Sequence, residues 1–277
     1  MNGNEINYPK ISIITVAYNA AKTIEQTILS VINQTYSNIE YIIIDGRSTD
    51  STVDIIKKYE NKISYWVSEP DKGIYDAMNK GIDIATGDYV YFLGADDWLV
   101  DKNVIENVFK NIYLNSGFDF YCGKVYLYDS IYNLVKESGQ FHSIEEIKKG
   151  AMYPHQGMFV KLEIIKEKFD IDYKIAADYE LFVRNIINGT KIHFFDKVIA
   201  CYNIAGSSAS SQLYDEYITI IKKYFGEEYT KEILLLKEYA LSNFSLRKVI
   251  KWIINSLRIR KVFLIAKGWK KYDYSRI

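Results

Sequence analysis

Apolar positions in the first hundred residues switch repeatedly between two periods. Residues 11–17, ISIITVA, form a continuous apolar run, the pattern of a strand buried on both faces of a parallel sheet. Ile24, Ile28, Val31 and Ile32 then recur at i, i+4, i+7 and i+8, which predicts an amphipathic helix ending near Gln34-Thr35-Tyr36. IEYIII (39–44) repeats the strand pattern, and Ser51 with Asp54 resembles a capping box opening a second helix through Tyr59. ISYWVS (63–68) predicts a third strand, the stripe Ile74, Met78, Ile82 and Ala85 a third helix, and DYVYFL (88–93) a fourth strand. Strands joined by helical crossovers predict an α/β fold with a doubly wound, mostly parallel, Rossmann-like sheet. Such sheets bind ligands at the carboxyl ends of their strands.

Beyond residue 100 the pattern changes to a helix near 103–114, tyrosine-rich extended segments near 118–137, and mixed elements carrying PHQG (154–157) and AADYELFVR (176–184). No repeat, low-complexity stretch or linker marks the change. The expected organisation is therefore a nucleotide-binding half (1–100) and an acceptor-side half (101–210) of one domain, followed by a C-terminal helical region (211–277).

Each predicted strand end delivers a polar cluster. Thr15, Tyr18 and Asn19 follow the first, Asp45 to Asp50 the second, Glu69-Pro70-Asp71 the third, and Asp96-Asp97 the fourth. Asp45 directly follows a buried strand at the ligand-binding edge, where a carboxylate accepts from a ribose hydroxyl or a base N–H. LGADDWL sets two adjacent acids among apolar residues, an arrangement that is unfavourable unless a cation offsets the charge. Hard divalent cations take one or two protein carboxylates plus substrate phosphates, which suits a nucleoside diphosphate.

Composition narrows the classes. A hydrophobic fraction of 48% supports a packed core, and two cysteines without a CxxC pair give neither a disulfide framework nor a zinc site. The formal charge of zero argues against nucleic acid as a partner. No signal peptide or run of 18 apolar residues is present, so a cytoplasmic protein is expected. The absence of GxGxxG and GxxxxGK[ST] removes the phosphate cradles of dinucleotide oxidoreductases and P-loop NTPases, and the absence of GxSxG weakens an α/β hydrolase.

SIITVAYNA (12–20), DGRSTDSTVDII (45–56), EPDKGIYDAMNKGI (69–82) and ATGDYVYFLGADDWL (85–99) resemble, in order and spacing, the successive motifs of the family 2 glycosyltransferases, whose fold is GT-A. The likeness is nearest to small bacterial enzymes that build capsules, exopolysaccharide and O-antigen. It implies an inverting enzyme using a nucleoside-diphosphate sugar, UDP-sugar above all, with Mn²⁺ or Mg²⁺. By that resemblance Thr15 contacts uridine, and Tyr18 belongs to the same nucleotide side. Asp45 reads base or ribose, Asp71 and Lys72 border the donor diphosphate, Asp96 lies toward ribose or sugar, and Asp97 binds the metal. AADYELFVR is similar to the family's acceptor-side segment, which makes Asp178 the general base, although an acid opening a helix also serves as an N-cap. His155 and Gln156 of PHQG fall near the acceptor, a glycan or lipid-linked saccharide.

Residues 241–277 hold ten Lys/Arg against one acid. SLRKVIKWIINSLR (245–258) predicts one basic amphipathic helix, and Arg260, Lys261, Lys267 and Lys271 a second, opposite Val262, Ile265 and Trp269. Such helices suit peripheral contact with anionic lipid at the inner face of the cytoplasmic membrane. Two rivals compete with the transferase reading. A sugar-nucleotide pyrophosphorylase would carry a Gly-rich loop where this chain has YNAAK, and a catalytically silent sugar-nucleotide-binding subunit would not need every acid.

Overall fold

The computed structural model describes residues 8–114, 117–204, 211–242, 264–265 and 267–272. The first half alternates as the apolar periods require: β1 (Ile11–Ala17), α1 (Ile24–Ile32), β2 (Ile39–Asp45), α2 (Thr52–Lys58), β3 (Tyr65–Ser68), α3 (Ile74–Ile84) and β4 (Tyr89–Gly94). β4, β1, β2 and β3 lie side by side in that order and all run parallel. All their amino-to-carboxyl directions therefore agree, and the loops after β1, β2, β3 and β4 gather along one edge.

The sheet continues through the second half without a break, but there it becomes mixed. β6 (Phe120–Asp129), β7 (Leu134–Ser138) and β8 (Met158–Lys161) extend it beyond β4 by antiparallel pairings. β9 (Ile192–Asn203) runs parallel to β6 through a bulge at Gly123, and the two-residue β5 (Trp98–Leu99) pairs antiparallel with β9. α4 (Val104–Leu114), α5 (Ile144–Lys148), α6 (Leu162–Ile165), α7 (Ala177–Ile187), α8 (Ser211–Phe225) and α9 (Lys231–Ser242) complete the helices among the described residues.

Strand alternation sends side chains into two cores, one on each face of the sheet. Ile11, Ile13, Tyr41, Ile43, Tyr91 and Leu93 pack against α1, α2 and α4. Ile14, Val16, Ile42, Ile44, Val90 and Phe92 pack against α3, α7 and α8. This is why β1 and β2 read as unbroken apolar runs.

Two local expectations are corrected. Ser51 is the N-cap of α2 by position but makes no side-chain hydrogen bond to it; the first helical amide, Thr52, donates instead to Asp50 Oδ1 at 3.0 Å. The C-terminal segment is not helical at Lys267–Lys271. Residues 267–268 form a turn, and Lys270–Lys271 form β10, antiparallel to β7 with Lys270 opposite Val135 and Lys271 opposite Leu134. An edge strand offers unpaired backbone groups, and pairing with β7 satisfies them where a helix could not. The helix expected over 245–258 lies outside the described residues.

Candidate active site

At the carboxyl edge, the loops after β1 and β2 are tied to each other. The Asn19 and Ala20 amides donate to Ser48 Oγ and Thr52 Oγ1 at 2.8 Å each, and the Thr49 amide donates to Asn19 Oδ1 at 2.8 Å. Asn19 and Arg47 both adopt positive φ, 49° and 62°, which lets the two loops turn tightly toward one another. Tyr18 projects from this edge, 66% exposed, and Asp71 stands beside it across Gly46. A Cβ at Gly46 would collide with the Asp71 carboxylate and lie 3.5 Å from the Tyr18 ring, so only glycine lets these two side chains share the edge. Asp71 is fixed by the Gly73 amide at 2.8 Å, and Lys72 is exposed.

Asp45 and Thr15 sit deeper than the sequence pattern implies. The Asp45 carboxylate is fully buried and accepts from the Ser48 amide (2.9 Å), Ser48 Oγ (2.5 Å) and Ser68 Oγ (2.6 Å). It therefore holds the 46–49 loop in place and ties it to the end of β3 through Ser68. Thr15 lies inside β1 on the α1 side of the sheet, fully buried, with Oγ1 3.2 Å from the Tyr41 hydroxyl. The strand continues to Ala17, so the first residue whose side chain reaches the edge is Tyr18 and not Thr15.

The Asp96-Asp97 pair follows β4 on a turn closed by the Asp97 amide on the Gly94 carbonyl at 3.1 Å. A Cβ on Gly94 would lie 2.8 Å from Asp97 Oδ2 and 3.3 Å from Asp96 Oδ1, so both carboxylates converge on the space a glycine leaves open. Asp97 is 2% exposed, with Oδ1 accepting from the Asn203 amide (2.9 Å) and Oδ2 from Gln156 Nε2 (3.1 Å). Burial, together with the neighbouring charge of Asp96, pushes the Asp97 carboxyl up to about 7 against the opposing pull of those hydrogen bonds. Burial also raises Asp96. Two acids held together in one turn, one of them buried and with no basic side chain among its hydrogen-bond partners, fit a divalent cation, which would supply the missing positive charge. Among the described residues no cluster of three or more His, Cys, Asp or Glu forms a self-sufficient metal cage. A cation here would need oxygen ligands from a substrate diphosphate.

PHQG forms a 3₁₀ turn, His155–Gly157, that leads into β8, and Tyr91 anchors it by donating its hydroxyl to the Gln156 carbonyl at 2.6 Å. The turn aims the side-chain amide of Gln156 at Asp97. His155 goes the other way. Its ring packs edge-on against Phe92 at 5.3 Å, and Nδ1 lies 3.6 Å from Asp178 Oδ2. Asp178 is the second residue of α7, whose N-cap is Ala176, so it does not cap the helix; its Oδ1 accepts from the Tyr75 hydroxyl (3.2 Å) and the Tyr179 amide (2.9 Å). Glu216 of α8 steadies the approach to α7 by accepting from the Ile175 and Ala176 amides at 2.9 Å each. Asp178 remains 22% exposed, open to a second substrate. Two consecutive residues of one turn thus reach the carboxylate pair on one side and the exposed Asp178 on the other.

Residues 12–168 match the family described as Glycosyl transferase family 2. The chain belongs to that family. It is 33% identical over 181 residues to an uncharacterized glycosyltransferase of Mycobacterium tuberculosis, covering 64% of this chain and 68% of that protein. The fold agrees. Residues 1–349 of Staphylococcus aureus TarS, solved with UDP-GlcNAc, superpose with a TM-score of 0.63 at 19% identity over 86% of this chain and 75% of that one. The mannosyltransferase PcManGT of Pyrobaculum calidifontis, solved with GDP-Man and Mn²⁺, superposes with a TM-score of 0.60 at 15% identity over 95% and 80%. This chain spans 44% of a longer TarS chain. The protein is a glycosyltransferase of GT-A fold.

In this glycosyltransferase the fold brings Tyr18, Asp71, Lys72, Asp96 and Asp97 to one edge, links Gln156 to Asp97, and sets His155 beside Asp178. Sequence reading placed Ser48 in the polar cluster after the second strand without giving it a role, and missed Ser68, Tyr75 and Asn203. The serines stand at strand ends among other polar residues, and Tyr75 is one tyrosine among 25. Asn203 acts through its backbone amide, which no side-chain pattern encodes. No described helix is long and apolar enough to cross a membrane.

Proposed function

We propose that this enzyme transfers a sugar, with inversion, from a nucleoside diphosphate, UDP in the first instance, to a hydroxyl of a bacterial glycan or lipid-linked oligosaccharide in polysaccharide synthesis. The observation that carries the reading is the 155–157 turn, which joins the Asp96-Asp97 pair, through the buried Asp97, to the partly exposed Asp178. Tyr18, Asp71 and Lys72 border the nucleotide and its diphosphate, and Asp45 keeps the Ser48 loop shaped beneath it. Asp97, with Asp96, would hold Mn²⁺ or Mg²⁺, which offsets the charge that develops on the departing diphosphate. Asp178 accepts the proton of the acceptor hydroxyl as that oxygen bonds to the anomeric carbon and the bond to the diphosphate oxygen breaks, its electrons leaving with the nucleotide. His155 stands where it holds Asp178 toward the acceptor.

The basic sequence 245–258 supports peripheral attachment to anionic lipid at the inner face of the membrane, where lipid-linked acceptors are presented. The test of the chemistry is a panel of nucleotide sugars assayed by thermal stabilisation and by donor hydrolysis, with and without Mn²⁺. A UDP-sugar should stabilise the protein in a metal-dependent manner, and equal responses in excess chelator would refute the assignment of Asp96 and Asp97.

A further inference from the structure

We propose that Tyr272, at the far end of the chain, is a positioning residue for the carboxylate pair, acting through Trp98. The proposal rests on the assignment of Asp96 and Asp97 to the donor site. Trp98 directly follows the pair and begins β5, a strand of two residues. So short a strand has two register positions, Trp98 opposite Cys201 and Leu99 opposite Ala200, and cannot by itself fix the turn before it. α1 holds its backbone, Thr27 Oγ1 donating to the Asp97 carbonyl at 2.7 Å and Ser30 Oγ accepting from the Leu99 amide at 3.2 Å, and a buried box around the indole fixes the side chain that follows the pair.

Trp98 is 3% exposed, and its Nε1–H donates to the Tyr272 hydroxyl at 2.9 Å across 174 residues of chain. The Trp98 ring packs edge-on against Tyr128 (4.8 Å) and Tyr272 (5.7 Å), and those two tyrosines meet edge-on at 5.8 Å. Cys201 forms another wall, and the Tyr272 hydroxyl also meets its thiol. Tyr272 is held in turn by β10. Its amide donates to the Asn133 carbonyl at 3.1 Å, just beyond the pairing of Lys270 and Lys271 with β7.

The same platform carries the carboxylate. Tyr128 lies opposite Asn203 in the β6–β9 register, the Ile204 amide donates to the Tyr128 carbonyl at 3.0 Å, and the Asn203 amide is the donor to Asp97 Oδ1. Asp97 and Trp98 are therefore consecutive residues held by one unit of β6, β9 and β10. One carboxylate oxygen is held by that backbone amide and the other by Gln156 Nε2, while the indole is held through Tyr272. Removing the Tyr272 hydroxyl leaves a buried indole N–H without its acceptor. The turn must then relax toward other partners, carrying Asp97 with it.

Tyr272→Phe tests this with little risk to folding, because the ring contacts remain. The first readout is amide hydrogen exchange of the metal-free protein. The peptide spanning residues 94–99 should exchange faster by about tenfold, while peptides from β1 and β2 keep their wild-type protection. The second is calorimetric titration of UDP with and without Mn²⁺. Metal-free affinity should be unchanged, and the gain produced by Mn²⁺ should fall by about 3- to 10-fold, the range of one lost hydrogen bond. In a Trp98→Phe background, which lacks the donor, Tyr272→Phe should add no further loss.

Unchanged exchange over 94–99 overturns the proposal, as does faster exchange with a wild-type Mn²⁺ gain, or losses from the two substitutions that simply add. If wild-type protein shows no Mn²⁺ gain at all, the functional assignment of the pair fails. Tyr272 is then judged by the exchange of 94–99 alone, which needs no metal.

Discussion

Asp97→Asn should stabilise the metal-free protein, and by an amount that depends on pH. Asp97 is buried beside Asp96, and its carboxyl is held at about 7 against an ordinary 3.8. Between those values the native state retains a proton that the unfolded chain has lost. The stability linked to this group is therefore complete below 3.8 and is lost as pH rises through about 7. At 1.36 kcal/mol for each tenfold change in proton affinity, the ceiling on the penalty above pH 7 is about 4 kcal/mol. Asparagine removes the charge and can still accept from the Asn203 amide through Oδ1. Its Nδ2–H₂, however, faces the Gln156 amide, which donates to Asp97 at 3.1 Å in the wild type. Gln156 must flip to present its oxygen, and that rearrangement reduces the gain. A net stabilisation of about 2 kcal/mol at pH 8 is expected, a rise in melting temperature of roughly 3–6 °C for a chain of this size. The assay is thermal unfolding of metal-free wild type and Asp97→Asn at pH 4.5, 6 and 8. The gap should open steadily across that range, and adding Mn²⁺ to UDP should raise the melting temperature further in wild type only. A gap independent of pH, or a variant less stable than wild type at pH 8, would refute the reasoning.

Three further outcomes follow from the same geometry. Asp178→Asn keeps the acceptor oxygen for Tyr75 and the Tyr179 amide, so UDP affinity should stay near normal while transfer falls by about 10²–10⁴-fold, measured on one preparation. Gly94→Ala puts a methyl 2.8 Å from Asp97 Oδ2, and donor affinity in Mn²⁺ should drop by about tenfold or more with metal-free UDP binding intact, read by calorimetry. Neutralising Arg247, Lys248, Lys251 and Arg258 to glutamine should abolish salt-sensitive sedimentation with anionic vesicles, at about 1 kcal/mol per basic residue, without changing UDP affinity; retained sedimentation would remove lipid contact from the proposal.

The sequence by itself determined the elements of the first half and the edge at which ligands gather. Apolar runs such as ISIITVA can be satisfied only by a strand covered on both faces, and four parallel strands leave their following loops on one side. It also determined which acids stand together, because Asp96 and Asp97 are adjacent in the chain. The tertiary structure decided the depth and aim of each side chain. Thr15 lies within β1, and Asp45 is the last residue of β2 with three hydrogen bonds from Ser48 and Ser68 holding its carboxylate, so a pattern of period two cannot say whether they touch a ligand or the core. The turn at 155–157 sends neighbouring side chains in opposite directions, and this separates Gln156 from His155 although they adjoin in PHQG. The last strand shows the same limit most clearly. Lys267 and Lys271 read as part of one side of a basic helix, yet the open edge of β7 offers backbone partners and the Trp98 box offers a site for Tyr272. These long-range contacts outweigh local helical periodicity, because an unpaired strand edge and a buried indole N–H both require partners that only distant parts of the chain supply.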